Sequence, residues 1–101
     1  MSYCRGGPSL SPRRGIDVKE DRLTKRLKID RGVSVYDRPD HPRLEQFGGA
    51  YLVGEIPDRL WIVKIGIDPS HYEIAPAVEM TFEEYEGLLK QISLIRVEAE
   101  N

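Results

Sequence analysis

The chain has 101 residues, enough for one core and not for two, and with 40% hydrophobic and 32% charged residues it has the composition of a folded domain rather than a disordered tail. A formal charge of −2 argues against a nucleic-acid binder, a single cysteine excludes an internal disulfide framework and suits a reduced compartment, and no apolar run approaches the length of a membrane span. The N-terminus shows no apolar stretch of a cleaved export signal, which leaves open delivery by a route that needs none, and the expected site of action is the cytoplasm.

Tyr3-Cys4-Arg5 opens a short strand in which Cys4 acts as a small apolar residue, and Gly6-Gly7-Pro8 with Ser11-Pro12 ends it. Residues 13–31 form a charged excursion carrying Arg13, Arg14, Lys19, Arg22, Lys25, Arg26, Lys28 and Arg31. Its Leu23 and Leu27 fit either one helical turn or one arm of a hairpin. Such a basic front suits an acidic partner or a phosphate-bearing ligand, and equally a solvated loop face.

From Gly32 to Tyr36 the chain alternates with period two, which predicts a strand with Val33 and Val35 on the core face and Ser34 and Tyr36 on the other. Asp37 to Pro42 is turn chemistry, as is Phe47-Gly48-Gly49. Short strands are expected over Ala50–Val53, Leu60–Ile67 and His71–Ala75. In the second of these Trp61, Val63, Ile65 and Ile67 form an unbroken apolar set and are expected to face the core. In the third, His71 and Glu73 share one face, with Tyr72 and Ile74 opposite. Thr81 to Ile92 predicts a helix: Thr81 and Glu84 have capping-box spacing, and Phe82, Tyr85, Leu88, Leu89 and Ile92 form its buried stripe.

The expected architecture is therefore α+β, a single domain over 1–101 with a small mixed or antiparallel sheet and one well-defined C-terminal helix. Metal-binding spacings, a nucleophile elbow and a Walker loop are all missing from the sequence. The polar residues at strand positions remain: Arg5, Ser34, and the pair His71 and Glu73. Arginine and histidine donate to phosphate or ribose oxygens, serine can hold a ribose hydroxyl, and a carboxylate can steady a developing cation.

From Arg31 to about Ile95 the chain resembles the small type VI secretion effector toxins with an ADP-ribosyltransferase-like fold and their short bacterial relatives. The shared blocks are Val33-Ser34-Val35-Tyr36-Asp37-Arg38, Ile56-Pro57-Asp58-Arg59-Leu60, and His71-Tyr72-Glu73-Ile74-Ala75-Pro76-Ala77, followed by Met80 and the helix. Tyr3-Cys4-Arg5-Gly6-Gly7 also looks like the first motif of the transferases. The resemblance implies that Arg5, Ser34, His71 and Glu73 are catalytic and that Arg5, Gly6, Ser34, Tyr36 and His71 hold NAD as substrate. It implies further that Glu73 steadies the ribosyl cation and that a cognate antitoxin or immunity protein neutralises the toxin. A non-catalytic protein-binding module on the same fold is the alternative.

Overall fold

The computed structural model describes residues 2–97. In chain order its elements are β1 (Cys4–Gly6), β2 (Val33–Tyr36), α1 (Pro42–Glu45), β3 (Ala50–Val53), β4 (Leu60–Lys64), β5 (His71–Pro76), α2 (Phe82–Leu89) and β6 (Leu94–Arg96). The strands make one six-stranded sheet in the order β4-β5-β2-β1-β3-β6, antiparallel at each junction. No helix among the described residues is long and apolar enough to cross a membrane.

Alternation along β2 and β5 separates the two faces of the sheet. Val33 and Val35 are fully buried, and Ile74, paired with Val33, joins them. Over this face lies α2, which buries Phe82, Tyr85 and Leu89 as its spacing predicts. Thr81 Oγ1 accepts from Glu84 N–H while Glu84 Oε1 accepts from Thr81 N–H, so the capping box closes. The helix ends at Leu89, three residues before the expected Ile92, although Ile92 stays buried beside it.

The 13–31 excursion is neither a helix nor a loose loop. Val18 and Leu27 insert into the same core. Between them an arm turns back on itself, with Glu20 bridged to Leu27 and Lys28 N–H donating to Lys19 O. Asp21 Oδ1 accepts from the N–H groups of Leu23 and Thr24, and Lys25 takes φ 61° to close the turn.

The expected inward face of β4 is reversed. Leu60 is buried and Ile62 packs on the main core, whereas Trp61 is 44% exposed and Ile67 is 102% exposed. Register explains the reversal: Ile62 lies opposite Ile74, the residue already under α2, so the even-numbered side of β4 faces that layer. The strand also stops at Lys64 rather than Ile67, because the chain turns at Gly66 with φ 70°. Two elements lay outside the sequence reading. The short helix α1 begins at Pro42 with His41 as its cap, within what reads as a turn, and β6 is a three-residue edge strand on β3.

Candidate functional site

The second face of the sheet carries a small core of Cys4, Tyr36 and Leu44, covered by α1. The register sets Tyr36 opposite both Cys4 and His71, and Ser34 opposite Glu73, so these five side chains share one face. Between β1 and β2 the described pairing is the single Cys4–Tyr36 step. Beyond it β1 continues with β3 alone, through Arg5–Tyr51 and Gly6–Ala50. Arg5 occupies the divergence: its Nη1 donates to Ser34 O at 2.8 Å and its Nε to Ser9 O at 3.0 Å.

A cavity of about 320 Å³ opens here, at the lower end of ligand-pocket volumes. Arg5, Gly6, Ser34 and Tyr36 line it. Gly6 is needed for its shape, since a Cβ there would stand 2.8 Å from Phe47 Cδ2.

His71 and Glu73 lie behind this lining and act through Ser34. His71 Nε2 is 3.0 Å from Ser34 Oγ and 3.9 Å from Glu73 Oε2. The imidazole nitrogen thus holds the Ser34 hydroxyl by a hydrogen bond, with the Glu73 carboxylate on the same side of the ring. Glu73 Oε1 accepts from the buried Gly32 N–H at 3.0 Å, which fixes the carboxylate to the backbone. Burial pushes the His71 pKa below its ordinary value, opposed by the carboxylates of Glu73 and Asp68.

Tyr36 holds the imidazole from its side. Its ring stacks on His71 with centroids 5.2 Å apart and on His41 at 4.1 Å. His41 is itself fixed at both nitrogens, Nδ1 accepting from Arg43 N–H and Nε2 lying 2.8 Å from Asp68 Oδ2.

Of the remaining charged lining, the sequence marked only Arg13, as part of the basic excursion. Arg13 and Arg43 add cations to Arg5, Asp17 adds a carboxylate, and Phe47 and Leu44 add apolar surface. Burial lowers the Arg5 pKa, and the charge of Asp17 opposes that shift most strongly. Arg13 is a member of the basic excursion, so that stretch does reach the cavity; Asp17 and Arg43 are ordinary loop and turn residues in sequence, distinguished only by where the fold puts them. The excursion's cations are partly neutralised from within, Arg13 by Asp17 and Arg14 by Glu20 and Glu83. Among the described residues no cluster of three or more His, Cys, Asp or Glu side chains is placed to hold a metal ion. No protein-family model, no curated protein and no solved structure matches the chain.

Proposed function

We propose that this chain is a toxin domain of the ADP-ribosyltransferase-like type, which takes NAD into the cavity beside Arg5, acts in the cytoplasm and is neutralised by a cognate antitoxin or immunity protein. The observation that carries the reading is convergence. Arg5 and Ser34, 29 positions apart, meet at the point where β1 and β2 part, and His71 reaches the same place through Ser34 Oγ.

Arg5, half-buried and cationic, offers charge-assisted bonds to a phosphate or ribose oxygen. Arg13 and Arg43 extend that field along the cavity rim toward a pyrophosphate. Ser34, oriented by His71, donates to a ribose hydroxyl. Phe47, 62% exposed at the cavity, supplies aromatic surface for a base or the nicotinamide ring. The cavity holds part of a dinucleotide, and the rest extends over Arg43.

Titration with NAD, measured by calorimetry together with nicotinamide release, tests the chemistry; induced expression in a bacterial host tests toxicity. The intact chain is expected to arrest growth. Arg5→Ala and His71→Ala should each relieve the arrest while folding normally, and the distant Lys90→Ala should not. Removing the Arg5 contact should weaken NAD binding roughly ten- to a hundredfold. A harmless intact chain at high expression would sink the toxin reading.

The second reading, a protein-binding module, is supported by the arm. Leu23 is 93% exposed at the tip of a turn closed by its own hydrogen bonds, beside the exposed Arg22, Lys25 and Arg26. In the toxin reading the same surface is where an acidic antitoxin docks.

A further inference from the structure

We propose that Asp17, rather than Glu73, is the carboxylate that faces the ribosyl carbon of the bound dinucleotide and steadies its positive charge as nicotinamide departs. The assignment rests on the NAD reading above and changes which acidic residue performs the chemistry.

Glu73 is poorly placed for that role. One of its oxygens is engaged by Gly32 N–H, the other is turned toward His71, and the side chain lies behind Ser34. Asp17 shares the cavity wall with Arg5, Ser34 and Tyr36, and among the described residues it is the one carboxylate in that lining. Its side chain is 12% exposed.

The backbone holds Asp17 there. The turn over 13–17 closes with Ile16 and Asp17 N–H groups both donating to Arg13 O, and Gly15 N–H donates to Val18 O while Val18 is fully buried. Arg13 then orients the carboxylate. Asp17 Oδ2 accepts from Arg13 N–H at 2.7 Å and Nε at 3.2 Å, and Oδ1 accepts from Nη2 at 3.1 Å. A carboxylate has about four acceptor positions, so one on Oδ1 is left for a ligand. Arg13 and Asp17 line the cavity as a pair, in which the Asp17 side chain is the more enclosed, 12% exposed against 68%.

In the step itself the glycosidic bond between C1′ and the pyridinium nitrogen breaks, and both electrons leave with nicotinamide, which becomes neutral. The positive charge passes to the ribosyl carbon, where a fixed anion in a partly dry cavity stabilises it. The acceptor, water or a target hydroxyl, forms the new C1′–O bond and gives its proton to Asp17 Oδ1, from which it returns to solvent.

This role has a sign that a structural clamp lacks. A carboxylate near the pyrophosphate repels the ground-state substrate and attracts the cationic transition state. Asp17→Asn is therefore expected to bind NAD as tightly as the wild type or several-fold more tightly, while nicotinamide release slows by about 100-fold or more. Asp17→Glu should recover a measurable part of that rate, and Glu73→Gln should slow release by less than about tenfold. Calorimetry with NAD gives the first quantity and nicotinamide release the second, with circular dichroism to confirm folding. A folded Asn variant that releases nicotinamide at the wild-type rate, or one that loses binding and turnover together, overturns the assignment alone. An intact chain that neither binds NAD nor releases nicotinamide overturns the reading above and this assignment with it.

Discussion

At the residue scale, the side chains around Ser34 are coupled rather than independent. His71 Nε2 holds Ser34 Oγ, Tyr36 stacks on the imidazole, and Glu73 ties the group to the Gly32 backbone. Removing either member of the Ser34–His71 bond leaves the other without its partner, so their effects should not add. We expect Ser34→Ala and His71→Ala to weaken NAD binding by similar factors, and the double variant to be little worse than either; additive losses in calorimetry would show two separate contacts. The same ring responds to pH. Burial lowers the folded-state pKa of His71 below its unfolded value, so the folded chain takes up a proton less readily. The stability this contributes is fully present above the unfolded pKa of about 6.5 and is lost as pH falls through the folded value. The urea midpoint should therefore drop on acidification from pH 7.5 to pH 5, and the drop should shrink in His71→Gln. An equally steep drop in that variant would assign the effect to other groups.

At the element scale, α2 is the best-specified part of the fold because local signals and tertiary packing agree on it. Its capping box satisfies N–H groups at the first turn, and Phe82, Tyr85 and Leu89 all reach the core. Thr81→Ala should destabilise the chain by about 1 kcal/mol in chemical denaturation. The join between α2 and the sheet is more sensitive. Buried Tyr85 donates its hydroxyl proton to Ile74 O and accepts from Val33 N–H at 3.0 Å, and its pKa is pushed up, chiefly by burial. Gly32 sits against the same group, where an added Cβ would overlap the Ile74 carbonyl and stand 2.6 Å from the Tyr85 hydroxyl. Gly32→Ala should accordingly cost about 1–3 kcal/mol, and a neutral result would mean that β2 can shift away from α2. The strand β4 was less legible. Alternation identified it as a strand, but both of its faces carry large apolar residues, and pairing to Ile74, which is not a local property, chose between them.

At the scale of the whole molecule, the arm and the cavity give the 13–31 excursion two roles from one set of cations. Its first turn brings Arg13 and Asp17 to the cavity, and its tip presents Leu23 away from the core. Since Leu23 is 93% exposed, Leu23→Ser should change folding stability by less than about 0.5 kcal/mol. A larger loss in thermal or urea unfolding would show that the tip packs on the domain. By itself the sequence determined the α+β class, the capped helix with its buried stripe, and the placing of Ser34 and Tyr36 on the face opposite Val33 and Val35, because each follows from a period of two or about 3.6 within one short segment. It also marked Arg5, Ser34, His71 and Glu73 as polar residues at strand positions. The tertiary structure alone decided the inward face of β4, the edge strand β6, the helix α1 after His41, and the arrival of Asp17, Arg43 and Phe47 at the cavity. These depend on which layer covers a face, which strand offers its hydrogen bonds, and how far β1 stays paired with β2, and such long-range contacts leave no periodic trace in the local sequence.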